Sequence, residues 1–134
     1  MYKIGEIDFS SLMKAFSKLK SFKQNLNTDQ EKAGAIQSFH YCFELSWKTM
    51  KKVVEKSGQE CYYQKDIFRE AANAKLIDSP NDWFKFINLR NLTVHTYNEE
   101  NAEEVISHIE EFYSLLNKFI QNLIALSNDK NREI

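Results

Sequence analysis

The stretch that decides the fold is TDQEKAGAIQSFHYCFELSWKTMKKVVEK, residues 28–56. Within it, side chains at alternating steps of four and three form one seam, a spacing typical of a helix that packs against other helices. Thr28 and Glu31 match a helix capping box, and Ser57-Gly58 fits a C-terminal stop. One long helix is therefore predicted from about Thr28 to Lys56. The seam positions are Ile36, His40, Phe43, Trp47, Met50 and Val54.

The rest of the chain continues this helical spacing. The whole chain contains only three glycines and one proline, too few breakers for an all-β protein. Ser79-Pro80-Asn81-Asp82 is a strong helix start, with Ser79 as the N-cap and Pro80 in the first turn. Further helices are therefore predicted at about residues 8–26, 65–76, 80–97 and 98–126.

Four long helices and one short one predict an all-α fold. Short connections favour an antiparallel up-and-down four-helix bundle with one extra short helix. Residues 1–134 form a single domain in this interpretation, with a frayed polar tail at about residues 127–134. Ten Phe and six Tyr are many for one small bundle, so we expect some of them to form a homodimer interface.

The composition limits the classes of function. Charged residues make up 28% of the chain and the formal net charge is −1, which argues against coating nucleic acid by bulk electrostatics. A local basic cleft is still allowed. The lysines at the end of the second helix, between Lys48 and Lys56, are interpreted as a solvated face, and the alternative is contact with RNA or a partner.

Cysteine and histidine usage predicts a cytoplasmic protein without a metal ion or cofactor. Cys42 and Cys61 are interpreted as reduced, buried or half-buried thiols, since no signal peptide is recognised. No apolar run reaches the length that spans a membrane. His40, His95 and His108 are far apart, and no cysteine or carboxylate cluster has ligand spacing.

Most of the chemistry is concentrated in LRNLTVHTYN, residues 89–98. Arginine holds phosphate with a planar fork of donors, and histidine titrates near neutral pH. On an ideal helix, however, His95 lies about 140° around from Arg90 and about 7.5 Å along the axis. Either the helix distorts near its end, or the arginine wraps around, or a second subunit completes the site. Alternatively, Arg90, His95 and Tyr97 serve structure only, at a helix end.

Other conspicuous side chains are interpreted structurally. His40 lies on the seam of the second helix and is expected to be a satisfied core or interface residue. Glu44 and Lys48 have the spacing of an ordinary ion pair along one helix. Trp47 and Trp83 are expected to anchor the core, because both lie on seams.

Three segments resemble one protein family, the HEPN superfamily. Arg90, Asn91, His95 and Tyr97 resemble its R-(polar)-x4-H-x-Y signature. Residues 90–100 (RNLTVHTYNEE) resemble the bacterial branch of nucleotidyltransferase substrate-binding-like, HepT-type, proteins. The segments FELSWKTMK (43–51) and FREAANAKLI (68–77), the latter followed by Trp83, resemble the same branch, in the same order and with similar spacing.

The resemblance implies a four-helix-bundle homodimer with a minimal nucleotidyltransferase encoded nearby. Many such pairs behave as toxin and antitoxin, and the HEPN partner is then a metal-independent RNase. By position, Arg90 and His95 would be catalytic across the dimer cleft, and Asn91 would assist them. Tyr97 would be the tyrosine to which the nucleotidyltransferase adds AMP. Other family members are regarded as substrate-binding subunits without activity.

Three hypotheses therefore remain open. In the first, the chain is an RNase toxin that binds RNA. In the second, it is a non-catalytic subunit that binds a nucleotide or other substrate for the nucleotidyltransferase. In the third, it is a plain helical dimerisation module. The RNase hypothesis predicts growth arrest on expression that is lost on His95→Ala. The binding-subunit hypothesis predicts co-purification with the neighbouring gene product. The dimerisation-module hypothesis predicts that His95→Ala lowers stability and changes nothing else.

Overall fold

The computed structural model describes residues 2–129, and in this part of the chain the predicted all-α bundle is confirmed. Two short strands precede the helices, and a 3₁₀ turn at Thr93–His95 interrupts them. The strands are β1 (Lys3–Ile4) and β2 (Ile7–Asp8), and the helices are α1 (Ser10–Lys23), α2 (Asp29–Lys56), α3 (Gln64–Asn73), α4 (Pro80–Leu92), α5 (Glu99–Ser107) and α6 (Ile109–Asn128).

Helix α2 is the centre of the bundle, because every other helix packs against it. Helix α1 packs against both α2 and α6, and the short α3 joins α2 to α4. The four longer helices α1, α2, α4 and α6 form the bundle. The described residues contain two short helices, α3 and α5, where one was predicted. None of the described helices is both long and apolar enough to cross a membrane.

Local capping signals decide where helices begin. The Thr28 side chain accepts a hydrogen bond from the Glu31 backbone N–H, and the Glu31 side chain accepts one from the Thr28 N–H, so the capping box is complete. Ser79 accepts from the Asn81 N–H, with Pro80 in the first turn of α4. Both predicted helix starts are therefore confirmed to within a residue.

The core is a continuous aromatic cluster around Phe112 of α6. Its ring contacts those of Phe39, Phe43, Trp83 and Phe86, with centroids 4.8–6.4 Å apart. These side chains are almost fully buried, so α2, α4 and α6 are held together through one group of rings.

The two tryptophans differ in their surroundings. Trp83 is a core anchor as predicted, whereas Trp47 is only half-buried. The Trp47 indole N–H instead donates to Glu44 Oε2, at 2.8 Å. Trp47 therefore packs at the edge of the core and orients a carboxylate.

The chain before α1 forms a small hairpin that the periodicity did not predict. Lys3 pairs with Asp8 and Ile4 with Ile7 around a turn in which Gly5 has a φ of 61°. The predicted start of the first helix near Asp8 was therefore wrong by two residues. Asp8 caps the helix from outside, since its carboxylate accepts a hydrogen bond from the Ser10 N–H at 2.8 Å.

Two other predicted boundaries were wrong because apolar spacing does not report backbone breaks. The predicted 98–126 helix is divided at His108, whose backbone has φ −106° and ψ 0°. Val105 and Ile109 are both buried, so the apolar seam continues across the break. The predicted 80–97 helix ends at Leu92. At the other end of the chain, α6 continues to Asn128, and residues 130–134 of the predicted tail lie outside the described residues.

Both cysteines are free thiols buried in the protein. Burial raises the pKa of the Cys42 thiol to about 12, so this side chain stays protonated and unreactive at neutral pH.

Candidate functional site

The polar residues of the 89–98 stretch lie where α4 ends and α5 begins. Arg90 and Asn91 lie in the last turn of α4, and His95 ends the 3₁₀ turn. The Thr93 hydroxyl donates to the Arg90 carbonyl oxygen at 2.6 Å, which closes the helix end. The backbone of His95 is fixed at the other side, because its carbonyl oxygen accepts from the Asn98 N–H at 3.1 Å.

Arg90 is held in place by an acidic residue from α2. Its Nε donates to Glu44 Oε1 at 2.5 Å, and the two side chains are 32% and 18% exposed. The other carboxylate oxygen of Glu44 accepts from the Trp47 indole, so the carboxylate is itself oriented. The interpretation of Glu44 as the partner of Lys48 was wrong. The bundle brings α4 close to α2, so Arg90 takes the place of Lys48 as the partner of Glu44.

Part of the guanidinium group is still available to a ligand. Arg90 Nη1 lies 3.4 Å from the side-chain oxygen of Asn91, which is a weak contact, and the group remains partly exposed. A guanidinium fixed at Nε presents its outer nitrogens in a defined direction, which is the arrangement that suits an oxyanion such as phosphate.

His95 and Tyr97 lie together on the surface. Their rings are in edge contact, with centroids 6.1 Å apart. Tyr97 is 87% exposed and the neighbouring Val94 is 64% exposed. The structure therefore joins these two predicted site residues to each other, and it joins Arg90 to Asn91.

Arg90 and His95 are not brought together within one chain. Among the described residues no hydrogen bond connects them. Two helical steps of about 100° and three 3₁₀ steps of about 120° separate their side-chain directions by about 200°. By these ideal step angles, the 3₁₀ turn widens the separation from about 140° on an ideal helix and does not reduce it.

A groove of about 420 Å³ lies beside the motif, between α2 and the 3₁₀ turn. His40 lines it, although the sequence pattern predicted a core or interface residue. Its Nδ1 lies 3.3 Å from the Thr93 hydroxyl. That hydroxyl gives its only hydrogen to the Arg90 carbonyl, so Nδ1 of His40 carries the hydrogen and Nε2 is a free acceptor.

The surroundings of His40 favour its neutral form. Burial lowers the pKa of His40 below its ordinary value of 6.5, the positive charge of Arg90 acts in the same direction, and Glu44 opposes them. The sequence signal that could have found this group is the four-residue step from His40 to Glu44, which places both on one stripe of α2.

The charge on the two sides of the motif is different. On one side, the exposed face of α5 carries Glu99, Glu100, Glu103 and Glu104. On the other side, the groove at His40 is lined by no carboxylate. Among residues 2–129, no group of three or more histidine, cysteine or carboxylate side chains is arranged to hold a metal ion.

The fold and the motif define a class: small helical bundles that present an arginine and a histidine at the end of one helix. Residues 7–125 match the model of the family described as nucleotidyltransferase substrate binding protein like. The chain belongs to this family, as the resemblance of its three segments predicted.

Two solved structures share the fold over nearly their whole length. One is a Haemophilus influenzae protein described as having the fold of a substrate-binding domain of a nucleotidyltransferase. It is 29% identical with a TM-score of 0.79, and the match covers 87% of this chain and 99% of that one. The other is a Thermus thermophilus protein, 29% identical with a TM-score of 0.76, over 84% of this chain and 98% of that one.

A curated relative carries the name of an enzyme. It is the "Probable ribonuclease HepT" of Haemophilus influenzae, 39% identical over 85 residues. The match covers 60% of this chain and 58% of the relative, so the chain spans little more than half the length of that protein.

Proposed function

We propose that the chain is the metal-independent endoribonuclease partner of a minimal nucleotidyltransferase and the toxin of that pair. Its site is composed of Arg90 from one protomer and His95 from another, at the cleft of a homodimer. The observation that carries this proposal is the 3₁₀ turn between Arg90 and His95, because ideal step angles across it separate the two side-chain directions by about 200°. In the proposed homodimer, Arg90 of one copy and His95 of the other meet when the two copies face each other.

The chemistry follows from the two residue types. The RNA 2′-hydroxyl attacks the adjacent phosphorus, so a P–O2′ bond forms, the P–O5′ bond breaks, and a cyclic phosphate and a free 5′-hydroxyl result. One proton leaves the 2′-hydroxyl and one is delivered to the leaving oxygen, and His95 transfers one of them. Arg90 binds the phosphate and stabilises its developing negative charge. Since the substrate supplies the nucleophile, the step needs no metal-bound water.

Glu44 and Asn91 support Arg90 in this mechanism. The Glu44 carboxylate fixes the guanidinium through Nε, so the remaining donors are oriented before the substrate binds. Asn91 lies beside Nη1 and offers a polar group to the same phosphate. Tyr97 is exposed at the edge of the site, where the nucleotidyltransferase can reach its hydroxyl and transfer AMP to it from ATP, releasing pyrophosphate.

A second candidate function is that of a non-catalytic subunit that binds substrate for the nucleotidyltransferase. The description of the Haemophilus structure favours it. In that role Arg90 and the groove at His40 bind a nucleotide phosphate without cleaving it. The two candidates differ in one observable, the cleavage of RNA by the chain without its partner.

Subunit complementation tests the composite site. Arg90→Ala and His95→Ala chains carrying different tags are co-expressed, and only the mixed dimers are purified. Each mixed dimer keeps one intact pair, so RNA cleavage should return to about half of the wild-type value per dimer. Differently tagged His95→Ala chains purified in the same way serve as the control and stay inactive.

Failure of complementation has a definite meaning. If mixed dimers form but cleave no RNA while the wild type does, Arg90 and His95 act within one chain and the composite site is wrong. If the wild type itself cleaves no RNA, and its complex with the nucleotidyltransferase binds nucleotide through Arg90, the second candidate function replaces the first.

A further inference from the structure

A second cleft, of about 340 Å³, lies between α1 and α2, outside the motif groove. Both helices contribute polar and aromatic side chains to it, and none of its lining residues is a carboxylate. We call it the α1–α2 cleft. Its residues that matter here are Lys14, Lys18, Phe22, Gln37, Ser38 and Tyr41.

The rim of the α1–α2 cleft is positively charged. Lys14 and Lys18 lie one turn apart on α1, both exposed to solvent. Among residues 2–129, no ion pair includes either of them, although several other lysines are paired. Two unneutralised like charges at the mouth of a cleft concentrate positive potential there, so the cleft attracts an anion.

Inside the cleft, the Ser38 hydroxyl is buried without a hydrogen-bond partner. The residue is 6% exposed, and its hydroxyl interacts with the Cys42 thiol, which is a weak hydrogen-bonding partner. Two other buried hydroxyls of α2 bond to the carbonyl four residues earlier, at 2.6 Å for Ser46 and 2.7 Å for Thr49. An unpaired buried hydroxyl costs stability. The Ser38 oxygen has almost no accessible surface, so a ligand bonds to it only when the side chains that cover it move aside.

Aromatic rings border the same space. Tyr41 is 53% exposed, and its hydroxyl accepts from the Gln37 amide at 3.1 Å. Phe22 lies directly over Gly34, where an added Cβ would come within 2.4 Å of the ring. Gly34 therefore allows the ring to approach α2 and shape the cleft.

The α1–α2 cleft adjoins the motif groove. Gln37 and Tyr41 line both spaces, so this hydrogen-bonded pair forms a shared wall between them. An extended ligand bound at the motif can therefore cross the wall toward Lys14 and Lys18. In the other direction it would meet the glutamates of α5, which repel an anion.

We propose that the α1–α2 cleft binds one nucleoside monophosphate unit, either free or as part of an RNA chain. Lys14 and Lys18 hold the phosphate, the Tyr41 and Phe22 rings contact the base, and Ser38 bonds to a polar atom of the base or ribose. For an RNA chain the inference rests on the proposed function. For a free nucleotide the inference does not depend on the proposed function, since none of these residues belongs to the motif.

Calorimetric titration with AMP and with a five-nucleotide single-stranded RNA tests the cleft. The His95→Ala protein is the background, so that cleavage does not interfere. Lys14→Glu/Lys18→Glu should weaken binding at least about tenfold. The matched control is Lys20→Glu/Lys75→Glu, which changes the net charge equally at exposed positions outside the cleft. The affinity of this control variant should stay within about twofold of that of the His95→Ala background.

Ser38→Ala separates binding from folding. It should weaken AMP or RNA binding by about three- to tenfold, while the unfolding temperature stays the same or rises because an unpaired buried hydroxyl is removed. If the variants weaken the binding of RNA alone, the ligand of the cleft is a nucleotide unit of an RNA chain. If they weaken the binding of AMP alone, the ligand is a free nucleotide.

Two results overturn the inference. One is wild-type affinity for both probes in the Lys14→Glu/Lys18→Glu protein, and the other is unchanged affinity in Ser38→Ala. Either result leaves RNA cleavage by Arg90 and His95 untouched. Conversely, AMP binding that depends on Lys14 and Lys18 in a protein without RNase activity supports the cleft and contradicts the proposed function.

Discussion

At the scale of single residues, the main lesson concerns polar side chains on an apolar seam. His40 and Glu44 occupy consecutive turns of α2, and the sequence pattern assigned them to a core or interface position and to an ion pair along one helix. In the structure, both side chains contact residues at the end of α4. Glu44 orients Arg90, and His40 contacts Thr93, whose hydroxyl in turn closes the helix that carries Arg90.

A pH dependence of stability follows from His40. Its pKa is lowered in the folded protein, mainly by burial, so the unfolded chain binds more protons as the pH falls below about 6.5. The stabilisation is therefore complete above the unfolded pKa and is lost as the pH falls through the lower, folded pKa. Arg90 and Lys48 strengthen this effect and Glu44 weakens it.

His40→Asn removes the titration but keeps a donor for Thr93. The difference in free energy of unfolding between pH 7.5 and pH 5, measured with urea, should be smaller in this variant than in the wild type. His40→Gln should behave in the same way. A difference as large as in the wild type, in both variants, would contradict the assignment to His40.

At the scale of helices and strands, capping signals were more informative than apolar spacing. Thr28, Ser79 and Asn98 each accept backbone hydrogen bonds at the start of a helix. In contrast, the break at His108 leaves the apolar seam uninterrupted, and the apolar Val94, which continued the predicted 80–97 helix, is exposed beyond the end of α4. Spacing reports which face is buried, and it is insensitive to a local change in backbone hydrogen bonding.

The capping box of α2 can be tested directly. Thr28→Ala removes the oxygen that accepts from the Glu31 N–H, and we expect a loss of about 1 kcal/mol in the free energy of unfolding. Urea unfolding followed by circular dichroism measures it. Gln30→Ala, an exposed change in the same turn, is the control and should have almost no effect. A loss as small in Thr28→Ala as in the control would mean that the box does not stabilise α2.

At the scale of the whole molecule, the surface is asymmetric around the motif. The α5 side is acidic and the α1–α2 side is basic, although the net charge of the chain is only −1. The large exposed apolar side chains include Val94 and Tyr97 in the motif and Tyr41 at the wall of its groove. This apolar surface, together with the composite site proposed above, is why we expect the homodimer to form here.

Val94→Asp tests the position of this interface. A charge at the centre of a packed apolar contact opposes association, so the variant should sediment as a monomer at concentrations where the wild type is a dimer. Tyr62→Asp changes a residue that is exposed on another part of the surface, and it should not alter the sedimentation. If the Val94→Asp protein is still a dimer, the interface lies elsewhere on the surface. If the wild type is a monomer, there is no dimer interface.

The sequence by itself determined the helical class and the main helix starts, and it singled out the four motif positions. Each of these depends on interactions within a few residues of the chain, namely capping, helical hydrogen bonds and the burial of one face. Only the tertiary structure decided what the motif faces. The Arg90–Glu44 and His40–Thr93 contacts join residues 46 and 53 positions apart. Such contacts depend on how the helices pack, because no local spacing specifies which faces of two helices meet.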